Sequence, residues 1–297
     1  MPKVFANGIN FSYWQVGEGE DVVMLHGLGG SQAVWHLRLL PHLWGKFRLT
    51  TYDLRGHGRT EVTPTGYTTA NMADDLCGLM DALGIERANL VGHSLGGDIG
   101  LNFALRHPDR VSKLVAIEAG LPVLIETYRR DGWDGWSYWA EILERFLGVK
   151  VPPERERDID YLLDLSLEIP VQYGPAKGQP RQKGALLRLL RTTSVVKDYE
   201  VVGDLTVDNL SKIVQPALLI YEAQSPYLRS LAVLGEQLPN CTPVILPDSD
   251  LKHFAPLEQA DLVAEHVGKF LQLEKQSNGV PASMYAKAHT NGISNDQ

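Results

Sequence analysis

The segment Gly92-His93-Ser94-Leu95-Gly96-Gly97 is where residue type and spacing point most directly to chemistry. The apolar stretch before it, Asn89–His93, reads as a strand, and the residues after it open a helical pattern. A strand that turns straight into a helix forces its corner residue into a strained backbone conformation and lifts that side chain above the sheet. Gly92 and Gly96, two residues to either side of Ser94, give the clearance that side chains there would fill. The helix that starts behind the serine offers unpaired N–H groups and a positive dipole end to a developing oxyanion. This is the setting for a serine nucleophile attacking a carbonyl.

Such a corner needs a sheet. Asp21–His26, Arg48–Asp53, Lys113–Glu118, Ala217–Tyr221 and Pro243–Leu246 read as further short apolar strands. Amphipathic stretches lie between them, such as Met72, Leu76, Leu79, Met80 and Leu83, ended by Gly84. Continuous apolar strands separated by helices predict a mostly parallel sheet covered on both faces. Val4–Phe5 and Phe11–Trp14 flank Asn7-Gly8, a hairpin turn. The alternation breaks over residues 121–210, where Trp136–Leu147, Ile159–Leu167 and Lys183–Thr192 read as helices, and resumes at Pro216. The organisation expected is a core of residues 1–120 and 211–273, a helical insertion at 121–210, and a disordered tail at 274–297 rich in Ser, Asn, Gly and Ala.

The 297 residues carry a formal net charge of −8 without basic clusters, which argues against nucleic acid and anionic membrane partners. No stretch approaches 18 continuous apolar residues, and the start lacks the apolar run of a secretory signal. Cys77 and Cys241 make neither a disulfide framework nor a metal-type C-x-x-C spacing. A cytoplasmic protein with no metal or cofactor is expected.

Four segments in order, His26-Gly27-Leu28-Gly29-Gly30, Asp53-Leu54-Arg55-Gly56-His57-Gly58, the Ser94 corner and His107-Pro108-Asp109-Arg110-Val111, resemble the α/β-hydrolase superfamily over roughly residues 1–273. The resemblance implies the α/β-hydrolase fold, with a mostly parallel central sheet, flanking helices and a helical cap insertion. It makes Ser94 the nucleophile of a G-x-S-x-G elbow and places the oxyanion donors at the backbone N–H groups of Leu28 and Leu95. The base comes last in chain order, which selects His253 in Lys252-His253-Phe254, after the final strand. His26, His57 and His93 are read as local hydrogen-bonding residues, and His36, His42, His266 and His289 as poorly placed for catalysis. Arg55 and Glu258 are read as structural or surface residues.

The imidazole also needs a carboxylate to fix its tautomer and balance its charge. The commonest position in the superfamily is an Asp in the loop after the strand Ala217–Tyr221, but Ser225 stands there in Tyr221-Glu222-Ala223-Gln224-Ser225-Pro226. Glu118, at the end of an earlier strand, is similar in position to the acid of some haloalkane dehalogenases and is the expected acid; Glu222 is the alternative. The dehalogenase likeness stops there. Those enzymes use an Asp nucleophile where this chain has Ser94, and an Asn and a Trp for the halide where it has Leu28 and Leu95. The missing Asp also disfavours epoxide hydrolysis.

Half of the six tryptophans, Trp133, Trp136 and Trp139, fall within seven residues of the insertion. A spacing of three suits the insertion's own core, and equally an aromatic pocket for an apolar acyl or aryl group of a small-molecule substrate. The reaction expected is hydrolysis of a carboxylic ester, thioester or lactone through an acyl-enzyme. Carbon–carbon bond hydrolysis, acyl transfer and perhydrolysis on the same residues are alternatives, as is a ligand receptor with residual hydrolase activity. Fold alone does not choose among these.

Overall fold

In the computed structural model, residues 1–131, 134–170, 177–179 and 183–272 are described. The expected tail at 274–297 lies outside them. Eight strands form one sheet: β1 (Lys3–Ala6), β2 (Ile9–Val16), β3 (Asp21–Leu25), β4 (Arg48–Tyr52), β5 (Ala88–His93), β6 (Val111–Ile117), β7 (Ala217–Glu222) and β8 (Cys241–Leu246). Their order is β1-β2-β4-β3-β5-β6-β7-β8. The β1–β2 hairpin and the β2–β4 pair are antiparallel, and every other pair is parallel. Asn7 and Gly8 both take positive φ, the backbone of a type I′ hairpin turn.

The inner strands β3, β5, β6 and β7 are buried along nearly their whole length and largely apolar because both faces are covered. Val23, Leu25, Leu90, Leu114, Ala116 and Leu219 pack into one core. Their chain neighbours Val22, Met24, Val91, Val115, Leu218 and Ile220 point the other way into a second core with Trp35, Val263 and Val267. The strand period of two thus assigns alternate residues to the two layers. The helices Thr69–Ala82, Leu95–Arg106 and Leu228–Gln237 join the first core, and Ala260–Gln272 the second.

Between β6 and β7 the chain leaves the sheet and makes a run of helices, among them Ile125–Asp131, Asp134–Leu147, Ile159–Ser166, Lys183–Thr192 and Val195–Tyr199. Trp136, Leu143, Val151, Leu162 and Ile169 give this insertion a small core of its own. Among the described residues, no helix is long and apolar enough to cross a membrane.

Candidate active site

Ser94 sits at the corner between β5 and the Leu95–Arg106 helix with φ 53° and ψ −123°, a conformation that L-residues rarely adopt. The corner is held by its own backbone: the Ser94 N–H donates to the Ile117 carbonyl (2.8 Å), and the Ser94 carbonyl accepts from Gly97 (2.8 Å). The flanking glycines are required by contact distance. A Cβ on Gly92 would stand 2.2 Å from the Gly96 carbonyl oxygen, and one on Gly96 would stand 2.2 Å from that of Leu25.

The loop after β3 packs directly on this corner, since a Cβ on Gly27 would meet the Ser94 Cβ at 3.1 Å. Leu28, the next residue, is 38% exposed and lines the cavity in front of Ser94. Leu95 is the first residue of its helix, where N–H groups have no intrahelical acceptor. His26 shapes this loop, accepting the Leu54 N–H at Nε2 (3.0 Å) and bonding the Gly27 carbonyl through Nδ1 (2.8 Å). His57 bonds the Arg55 carbonyl through Nδ1 (2.8 Å). Arg55 pairs with Asp75 through Nε (2.7 Å) and Nη2 (2.5 Å).

His253 lies in the loop between β8 and the last helices, next to Lys252, which takes φ 47°. Its carbonyl accepts from His93 Nε2 (2.8 Å), so His93 supports the His253 backbone from the core side. Burial lowers the His93 pKa to about 3, which keeps the ring neutral in that role.

Of the two carboxylates considered as the acid, Glu118 faces the imidazole: its Oε2 is 3.5 Å from His253 Nδ1. That separation is longer than a well-formed hydrogen bond, and among the described residues Nδ1 has no hydrogen-bond partner. Glu118 follows β6 with φ 55°. Its Oε1 accepts the Glu222 N–H (2.7 Å) and its Oε2 accepts the Ser225 hydroxyl. Ser225 thus occupies the expected position of an Asp and donates to the carboxylate that stands one strand away. Burial raises the Glu118 pKa and lowers that of His253. The pair is therefore held with the imidazole neutral, the form that accepts a proton.

Glu222 is engaged elsewhere. Its Oε2 accepts from the Ser249 amide (2.9 Å) and hydroxyl (2.5 Å), and burial raises its pKa to about 7. Glu258 also has work in this loop, because its Oε2 accepts the Leu251 N–H (2.8 Å) and the Ser249 hydroxyl lies 2.7 Å from it.

Ser94 and His253 open onto a cavity of about 800 Å³. Trp136, Trp139, Ile142 and Phe146 form part of its wall from one insertion helix. Trp136 and Trp139 belong at the same time to the insertion's own core, so packing and cavity-lining coincide. Trp139 is also fixed by its indole N–H, which donates to Ser166 Oγ (2.7 Å). Trp133 lies outside the described residues. Tyr138 and Tyr227 also line the cavity, and the Tyr227 ring lies 4.9 Å from that of His253. The sequence reading singled out neither as a site residue, since an isolated tyrosine carries no spacing signal. Among the described residues, no group of three or more His, Cys, Asp or Glu is arranged to hold a metal ion.

A family model described as the alpha/beta hydrolase fold matches residues 22–151. A Caulobacter sp. (strain K31) protein named "Putative carbamate hydrolase RutD" is 48% identical over 99 residues, which are 33% of this chain and 37% of that protein. The chain thus covers less than half the length of such curated relatives. The solved structure of Est816, described as an N-acyl homoserine lactone degrading enzyme, has a TM-score of 0.64 at 24% identity, covering 91% of this chain and 100% of that one. The enol-lactonase of Burkholderia xenovorans LB400 has a TM-score of 0.62 at 23% identity, covering 91% and 99%. At these identities the structural likeness speaks for the fold. Sheet order, corner geometry and comparisons agree that the chain has the α/β-hydrolase fold, and its residues 22–151 match the family model of that fold.

Proposed function

We propose that this protein is a serine hydrolase that cleaves a carboxylic ester, thioester or lactone with an apolar acyl or aryl group. The observation that carries the reading is the strained Ser94 at the floor of the aromatic-walled cavity, with His253 on the same cavity and Glu118 behind it. In this mechanism neutral His253 takes the Ser94 proton as the hydroxyl attacks the carbonyl. The N–H groups of Leu28 and Leu95 stabilise the oxyanion. Glu118 fixes the imidazole tautomer and balances the charge that forms on it. Collapse of the tetrahedral intermediate expels the alcohol, thiol or ring oxygen, protonated by His253. Water activated by His253 then releases the acid. Residues 121–210 act as the cap that roofs the pocket, and Trp136 and Trp139 are its substrate wall. The lactone-degrading and lactonase descriptions of two structural neighbours and the name "Putative carbamate hydrolase RutD" fit hydrolysis at a carbonyl group. Cys77 and Cys241 are both free, in keeping with a reducing cytoplasm.

The test is labelling with a fluorophosphonate, followed by rates on p-nitrophenyl esters of rising chain length, thioesters and lactones. Wild type should label and Ser94→Ala should not. Equal labelling of the two would overturn the nucleophile assignment.

A further inference from the structure

The loop that carries His253 is fastened to the insertion as well as to the core. Three side chains of the Asp134–Leu147 helix reach it. The Tyr138 hydroxyl donates to the Leu251 carbonyl. Glu141 Oε2 lies 3.1 Å from Lys252 Nζ. Arg145 bonds the Asp250 carbonyl (3.0 Å) and pairs with the Asp250 carboxylate (2.7 Å). Residues 138, 141 and 145 are spaced to share one helix face. The residues one position further on, Trp139, Ile142 and Phe146, present the neighbouring stripe of the same helix to the cavity. Of the three contacts, the tyrosine is the one inside: Tyr138 and Leu251 both line the cavity, whereas Glu141 and Asp250 are exposed.

We propose that Tyr138 is a positioning residue for His253, and that this helix couples filling of the acyl cavity to placement of the base. The inference rests on the serine-hydrolase reading above. The His253 loop has a strained residue at 252 and a 3.5 Å gap between His253 and Glu118. Its geometry therefore depends on what holds it. On the core side the holders are Glu258, at the Leu251 N–H (2.8 Å), and His93, at the His253 carbonyl (2.8 Å). On the other side they belong to a helix whose adjacent stripe the substrate's acyl chain would pack against. An acyl chain that fills the cavity presses on Trp139, Ile142 and Phe146, and through the rigid helix fixes the Tyr138 hydroxyl on Leu251. Binding energy from the remote part of the substrate is thereby used at the reacting centre.

The test is the chain-length dependence of kcat in wild type, Tyr138→Phe and Glu141→Gln. Phenylalanine keeps the cavity wall and removes only the hydroxyl. In wild type kcat should rise with acyl length. In Tyr138→Phe the kcat for long esters should fall about ten- to a hundredfold, the rise should flatten, and KM should keep its dependence on length. Glu141→Gln, an exposed change that leaves the cavity intact, should flatten the rise in the same way to a smaller extent. It keeps the test decisive should Tyr138→Phe fail to fold. An unchanged rise of kcat in both variants overturns the inference, as does a Tyr138→Phe defect that is equal at every chain length or appears in KM. Wild type that fluorophosphonate does not label would instead refute the underlying reading.

Discussion

Replacing Glu118 by glutamine changes one atom's chemistry at the centre of the proposed machinery, and its effect can be worked out from contacts. Glu118 Oε1 accepts the Glu222 N–H (2.7 Å), and a glutamine carbonyl can still do that. Oε2, 3.5 Å from His253 Nδ1, then becomes an NH₂ group. It donates toward Nδ1 and favours the tautomer with the proton on Nε2, which cannot accept the Ser94 proton. Loss of the correct tautomer in such a triad is worth about 10⁴ in kcat, or about 5 kcal/mol. The matched control is Glu222→Gln. Its carboxylate is held by Ser249 (2.9 Å and 2.5 Å) and does not face the imidazole, so the expected loss is about tenfold or less. The assay is kcat and KM on a p-nitrophenyl ester, with circular dichroism to confirm that both variants fold. The pH profile adds a sign. Removing a carboxylate beside His253 removes what favours the imidazolium, so the acid limb of kcat/KM should move to lower pH in Glu118→Gln. Full turnover in Glu118→Gln together with its loss in Glu222→Gln would refute the reasoning.

Three further outcomes follow from the same contacts. Ser225→Ala removes the hydroxyl that donates to Glu118 Oε2, and kcat should fall about tenfold with KM unchanged; an unaltered kcat would show that this bond does not orient the carboxylate. Gly96→Ala puts a Cβ 2.2 Å from a backbone carbonyl oxygen, so a loss of about 4 kcal/mol or more, or no soluble protein, is expected in thermal unfolding, and a wild-type midpoint would contradict the corner geometry. Between about pH 7.5 and 8.5 the buried histidines, whose pKa values are lowered from 6.5, are neutral whether the chain is folded or not, while Asp98, Glu118 and Glu222 have theirs raised toward 7 or 8 by burial. In that window the folded state holds protons that the unfolded state has released, so the melting temperature should fall as pH rises; a rising one would refute the assigned burial of these carboxyls.

How much of this was legible before the fold follows from what each residue's signal depends on. Ser94 could be read because its requirements are local: two glycines, a strand before and a helix after, all within ten residues. The sheet was legible because burial on both faces leaves apolar runs that no exposed segment would carry. The helix Lys183–Thr192 was read to its ends, whereas Ile125–Asp131 and Val195–Tyr199 were missed, being too short to show a period. Glu118 was legible as a partner of His253 only through resemblance to a family, since 135 positions separate the two and no local pattern joins them. Ser225 stands where the commonest pattern has an Asp, and its contact with Glu118 is a pairing across two strands that no local pattern encodes. Tyr138 carries no signal of its own in the sequence. Its contact with Leu251 joins the insertion to the last loop of the core, over a sequence separation of 113 residues.

The placement of the proposed acid at the end of β6, and not in the loop after β7, is intelligible from strand pairing. β6 and β7 are parallel neighbours in register Ile117↔Ile220, so the chain leaves both at the same level of the sheet. The Glu118 N–H still donates to the Ile220 carbonyl (2.9 Å), which continues the ladder one residue past the strand. The left-handed backbone at Glu118 then aims its side chain sideways, onto the Glu222 amide and the Ser225 hydroxyl. A carboxylate from either strand end can therefore reach the same imidazole, and what distinguishes the two solutions is the residue opposite. An aspartate at 225 would set two carboxylates against each other in a buried site, and one would stay protonated. Serine at 225 instead supplies a donor to the carboxylate that remains. The pair Glu118 and Ser225 is best understood as one unit, in which the choice of the first fixes the chemistry allowed at the second.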